Sequence, residues 1–227
     1  MNINIDRKRK YVRIVSEILR TEGMQGVSIR RVAKEAGCTS AVLYKHFDNL
    51  EHLIMVASVE FLAPYTMELS KFTKRTDITS IQMDLYLWKF FIREAFSNKI
   101  YYEMMFFGEN TDMLEKCIYE YYSLFPENEK EMDGFGASII LSSDLNEREF
   151  IRLRRAANAG LITMENAFTL SRLTTAVFRG MFSQYPDMQN DRGMLQMAVD
   201  DCYQLIYELF KRFIAPGTSL DISDITG

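Results

Sequence analysis

The chain has 227 residues, 48% of them hydrophobic, and 27 basic against 31 acidic side chains leave a formal net charge of −4. That composition excludes a disordered or collagen-like chain, and the length suits a small head on a larger body. No apolar run approaches the ~18 residues of a membrane span, and the first ten residues lack the hydrophobic stretch of a secretory signal, so the expectation is a cytoplasmic chain with no membrane partner.

The modest total hides an uneven distribution. Residues 1–47 hold ten Lys and Arg against four acids, a net of +6, so the remainder carries −10. A basic head on an acidic body is the electrostatic footprint expected of a nucleic-acid partner. The run Arg7-Lys8-Arg9-Lys10 reads either as a solvated helix start or as part of that footprint.

Next along the chain, Ser28 is a favoured N-cap, and Ile29, Val32, Ala33 and Ala36 fall at i, i+3, i+4 and i+7 on one apolar face. Gly37 supplies a left-handed stop. Thr39 is the next N-cap, with Cys38 before it and Leu43 after it placed as a hydrophobic staple, while Leu43 and Phe47 turn inward. This pattern predicts a helix-turn-helix whose second helix shows small, polar and basic residues to solvent, a surface that a major groove admits. The candidate DNA-facing set is Ser28 and Arg30, then Thr39, Ser40, Ala41, Val42, Tyr44, Lys45 and His46. The positive end of the helix dipole at Thr39 would suit a phosphate oxygen.

Residues 11–53 resemble the DNA-binding domain of the tetracycline-repressor-like (TetR) family. The likeness rests on Tyr11, Val15, Ile18 and Leu19, on Gly23, Ser28, Val32-Ala33 and Ala36-Gly37, and on Leu43-Tyr44, His46-Phe47, Glu51 and Leu53. It departs from the family where Ala41 replaces a frequent Gly and Leu50 replaces a phosphate-contacting Lys. Lys45, His46 and the N-terminal basic run are left to supply that backbone contact. The resemblance implies an all-α protein: a three-helix DNA-binding head at 1–53, a helical effector-binding and dimerisation body at 54–215, and a flexible tail at 216–227. It further implies a homodimer on a palindromic, double-stranded DNA operator, released as a repressor would be by a small-molecule effector. A protein of the same build controlled by a protein partner, or by nothing, is the alternative.

The body reads as successive helices. One begins at Asp48 or Asn49 and runs to about residue 71, with Pro64 as a kink or interruption. Others span residues 79–98, 100–107 and 112–125. An acidic, turn-rich loop follows at 126–136, in which Gly134-Phe135-Gly136 has no strand leading into it and is no nucleotide fingerprint. Asn146-x-x-Glu149 is a candidate capping box for a helix ending at Gly160, Thr163 opens a helix to about residue 184, and a last helix spans about 191–213. These final two helices are apolar on more than one side, as Phe168, Leu173 and Val177 on one and Leu205, Ile206 and Leu209 on the other illustrate, so both faces need covering.

If the implied pocket exists, its candidate contacts are Trp88, Phe91, Met104, Phe107, Tyr119 and Tyr122, in a chain with 14 Met. A mainly apolar or aromatic effector is expected there, oriented by Tyr hydroxyls and by Arg93 or Glu94. Packing alone explains the same stripe. Catalysis finds no support: His46 and His52 are the only histidines, six residues apart, and no metal-ligand spacing, nucleophile elbow or phosphate loop occurs, so no cofactor is expected. Cys38, Cys117 and Cys202 are expected as free thiols.

Overall fold

A computed structural model describes residues 3–128, 134–188 and 191–225. Among the described residues there are twelve α-helices and no strand. The head is built from α1 (Ile3–Glu22), α2 (Ile29–Ala36) and α3 (Ser40–Leu43). Tyr11, Val12, Val15, Ile18 and Leu19 form one stripe of α1 and are buried with Val32, Ala33, Ala36, Leu43 and Phe47. The Ser28 hydroxyl accepts from the Arg31 N–H at 3.3 Å, as its N-cap assignment requires. Gly37 ends α2 at φ 71°, where an L side chain is strained although nothing lies within 4 Å of a Cβ placed there.

α4 (Leu50–Ser58) is capped by Asn49, whose side chain accepts from the His52 N–H at 2.7 Å. It packs on both α1 and α8, so it belongs to head and body together. A 3-10 turn at Val59–Leu62 separates it from α5 (Ala63–Thr73), with Pro64 in the first turn of α5. Proline has no N–H to offer the preceding turn, which accounts for the break. Leu50–Thr73 is long and apolar enough to cross a membrane by length and composition, with mean hydropathy 1.2, but 72% of that window is buried inside the protein.

α6 (Ser80–Ser97) starts at a reciprocal capping box between Thr79 and Gln82. α7 (Lys99–Phe107) follows, then a 3-10 turn and α8 (Leu114–Leu124). The expected loop at 126–136 is corrected in part: residues 129–133 lie outside the described ones, but Gly134 already opens α9 (Gly134–Leu141). Eight residues make a marginal helix alone; burial of Ile139 and Ile140 against neighbouring helices holds it.

α10 (Leu145–Asn158) is capped by Asp144, which accepts from the N–H groups of Asn146 and Glu147. The capping box expected at Asn146 and Glu149 is therefore not formed, because Glu149 is fully buried and engaged with Arg152. α11 (Met164–Gln184) and α12 (Arg192–Phe213) close the body, capped by Thr163 and Asp191. α6 lies at the centre, against α5, α10 and α12. Its Trp88, Phe91 and Phe96 mesh with Phe178 and Phe182 of α11, ring centroids 5.3 Å apart for Phe91 and Phe178. Residues of the expected tail rest on the body: Gln82 donates to the Asp221 carbonyl at 2.8 Å, and Ile225 is buried.

Candidate nucleic-acid interface

α3 is shorter than its sequence suggests. Four residues are α-helical, and the chain then tightens through a turn in which the N–H groups of His46 and Phe47 both reach the Leu43 carbonyl, at 2.9 and 3.1 Å. So short a helix carries little macrodipole, and the Thr39 hydroxyl makes no capping hydrogen bond. A phosphate beside Thr39 would be held by side chains rather than by the helix end. The inward residues are as expected, with Leu43 and Phe47 buried and Cys38 half-buried, its thiol meeting the Tyr11 hydroxyl.

The outward side of this segment is not covered by any other part of the described chain. Tyr44 is 52% exposed; Thr39, Ala41 and Lys45 are exposed, and Ser40 and Val42 half-buried. Ser28 and Arg30 are exposed on α2. His46 is half-buried with its ring 5.5 Å from that of Tyr11. Burial first, and then the nearby Lys8, Arg7 and Lys45 charges, hold its imidazole below the ordinary value.

The basic residues of the head divide into two sets. Arg31 is committed inside it, forming hydrogen bonds to Glu22 at 2.5 and 2.6 Å and to Glu35 at 2.8 Å. Within the N-terminal run, Lys8 and Arg9 turn toward the body: Lys8 pairs with Glu120 at 2.6 Å, and Arg9 donates to the Leu124 carbonyl. The expectation that the whole run serves phosphates is therefore corrected. Arg7 and Lys10 lie beside the turn, Lys10 donating to the Ala36 carbonyl at 2.8 Å, and bound a cavity of about 440 Å³ with Tyr11, Gly37, Thr39 and Val42. Charge runs cannot be parsed this way from sequence, since an i, i+1 neighbour on a helix points about 100° away.

Glu120 also joins the head to the body. His52, which is buried, accepts the Asp48 N–H at Nδ1 and so presents a protonated Nε2 to Glu120 at 3.1 Å. Burial alone would raise the Glu120 carboxyl, but hydrogen bonds from His52 and Lys8 outweigh it and hold the group below its usual range. Tyr101 adds a second link by donating to the Leu19 carbonyl at 2.6 Å.

Inside the body, the candidate effector contacts fall into different environments. Trp88 and Phe91 are in the aromatic core, Met104 is half-buried, and Tyr122 is buried with its hydroxyl 3.0 Å from that of Thr66. Phe107 lines a cavity. Tyr119, at 68% exposure, is outside the interior, because it sits off the stripe formed by Leu114, Cys117, Ile118, Tyr121 and Tyr122. Arg93 and Glu94 pair with each other at 3.7 Å rather than pointing together into a pocket.

The sequence reading missed a buried ionic cluster. Arg152 of α10 is paired with Asp84 of α6 and with Glu149, and its Nη1 donates to the Tyr65 hydroxyl at 2.8 Å. Each carboxylate keeps one buried oxygen without a hydrogen-bond partner. The available signal was charge at core spacing: Arg148, Glu149, Arg152, Leu153 and Ala156 form the buried face of α10. Burial, with the neighbouring Glu149 charge, pushes Asp84 up to about 8 despite Arg152. A carboxyl raised above its unfolded value of about 4 stabilises the fold while protonated, and that contribution is lost as pH rises toward 8. Denaturation midpoints should therefore fall between pH 5 and pH 8.5, and Asp84→Asn should flatten that decline; an unchanged slope in the variant would remove Asp84 as its source.

The pattern described as "Bacterial regulatory proteins, tetR family" matches residues 16–55. An HTH-type transcriptional regulator of Staphylococcus aureus strain bovine RF122 / ET3-1 is 24% identical over 152 residues, covering 61% of this chain and 78% of that one. A second, from strain USA300, is 23% identical over 151 residues, covering 61% and 77%. A structure from Mesorhizobium loti MAFF303099 carrying a TetR-family description superposes with a TM-score of 0.60 at 12% identity, over 95% of this chain and all of that one. A chain solved in work on control of antibiotic production by bacterial hormones gives a TM-score of 0.52 at 17% identity, again over 95% and 100%.

Proposed function

We propose, from the premise that this chain is a DNA-binding transcriptional regulator of the TetR family, that it acts as a homodimeric repressor, holding a palindromic operator in the cytoplasm until a small effector releases it. The observation that carries the proposal is the bare outer side of the α3 segment. Tyr44, Lys45, Thr39 and Ala41 face solvent there, while Arg7 and Lys10 flank the same turn. Lys10 is held there by the Ala36 carbonyl, but the Tyr44 and Lys45 side chains have no such internal partner among the described residues, and a helix entering a major groove needs small residues for close approach and a few longer ones for phosphates and base edges.

The body supports the dimer. After α11 and α12 pack on the core they still expose Met164, Phe168, Leu173, Met197 and Leu205. Ala176 and Gly180 lie on the exposed side of α11, where a partner helix could approach closely. Two copies joined through these helices would place two heads for half-sites about one helical turn, or a multiple, apart.

Selection of bound duplexes from a random pool tests this reading. The expected product is an inverted repeat, bound as a dimer, with affinity falling steeply as salt rises because several phosphates are neutralised. Recovery of no preferred sequence together with salt-independent binding would end it.

A further inference from the structure

α1 and α4 pack on each other and meet the rest of the body chiefly through α7 and α8. Two side chains of those helices grip α1. At one end, Glu120 of α8 accepts from Lys8 at 2.6 Å on Oε1 and from His52 of α4 at 3.1 Å on Oε2, with 15% of its side chain exposed. At the other, the Tyr101 hydroxyl of α7 donates to the Leu19 carbonyl at 2.6 Å, while its ring stacks on Phe61 with centroids 3.9 Å apart. Lys8 and Leu19 lie about 16 Å apart along the axis of α1. A rod held at one point pivots, whereas held at two its direction is set. A shift of about 1 Å at either grip therefore tilts α1 by roughly 4°.

Both grips belong to one continuous stretch of chain. α7 leads into the 3-10 turn at Thr111–Met113, which leads into α8 and packs on both helices. The bend of this arm forms part of the wall of a cavity of about 580 Å³, a volume that a small organic molecule fills. Phe106 and Phe107 end α7 there, and Thr111 and Asp112 open the turn; the α9–α10 connection adds Ser143 and α11 adds Thr175. Packed helices shift as bodies more readily than they deform, so a displacement at the bend is carried to both grips.

We propose that Glu120 and Tyr101 are positioning residues through which the α7–α8 arm sets the angle of the head, and that a guest filling the cavity at the bend turns the head by moving the arm. The proposal rests on the operator-binding dimer described above and names the residues that would join its two functions. Neither residue lines the cavity or belongs to the exposed side of the α3 segment, so both act through geometry.

The test needs no knowledge of the natural guest. Ser143→Cys in a Cys38→Ser background puts a thiol at the cavity, and N-phenylmaleimide converts it into a bulky adduct counted by mass spectrometry. Cys117 and Cys202 stay unmodified, because burial pushes both thiols up to about 12. His52 supplies a readout without DNA: His46 is the only other histidine, so magnetic resonance of isotope-labelled histidine resolves the ring held by Glu120.

The adduct should shift the His52 ring signals and change affinity for the full inverted repeat by about fivefold or more, the lower end of ordinary coupling between two sites. With Tyr101→Phe and Glu120→Gln added, it should change that affinity by less than about twofold. These two substitutions should themselves weaken binding to the full repeat yet leave affinity for an isolated half-site duplex within about twofold, since the angle between heads matters only when both are bound. Equal losses on both duplexes would mark a merely structural role and overturn the proposal. So would a fully formed adduct that leaves either His52 or the operator affinity unchanged, or that acts equally in the double variant. Thr175→Cys, on the α11 wall, carries the same adduct in case the first one lowers the melting temperature too far. If no duplex is preferred, the operator reading fails, and the His52 shift together with its loss in Tyr101→Phe still decides the role of the arm.

Discussion

Arg152→Met should destabilise the protein by about 3 to 5 kcal/mol, read as a lowered denaturant midpoint at pH 7. The side chain is almost fully buried and bonds Asp84, Glu149 and Tyr65 at once. Its removal leaves two carboxyls facing each other in the interior with no cation. Losing the pair altogether is a different matter, because well-packed apolar groups replace a buried ion cluster at little or no cost. The triple variant Arg152→Met, Asp84→Leu, Glu149→Leu should therefore recover most of the lost stability. A single variant as stable as the parent would show that the cluster does not bear on the fold.

Tyr44→Ala and Lys45→Ala should each weaken operator binding by roughly 1 to 3 kcal/mol, the range for a direct contact. Both side chains are exposed and neither has a hydrogen bond or ion pair among the described residues, so folding should be unaffected. The two variants should differ in character. Loss of a phosphate contact at Lys45 weakens all sequences alike and lowers the salt slope by about one, whereas loss of a base contact at Tyr44 relaxes selectivity at one position of the half-site. Fluorescence anisotropy with the selected duplex and a shuffled control separates them. Full affinity in both variants would show that this segment does not enter the groove.

The head was readable because its determinants are local. A cap at Ser28, a left-handed glycine at Gly37 and an apolar stripe of period 3.6 each act within a few residues, and all three appear as expected. Reading became unreliable where a residue's role depends on a partner far along the chain. Lys8 looks like any other member of a basic run until Glu120, 112 residues away, is seen beside it. Glu149 looks like a capping residue until Arg152 and the α6 helix are packed around it.

Periodicity, capping and charge bias were thus enough to specify a helical chain with a basic helix-turn-helix tip, since each depends on backbone geometry and short-range sterics. Which arginines are spent in the interior, which face solvent, and that the Arg148 guanidinium is buried over Phe106 with no acid partner among the described residues came from three-dimensional packing. Desolvation and Coulomb energies are set by what surrounds a charge in space, and neighbours along the chain supply little of that information.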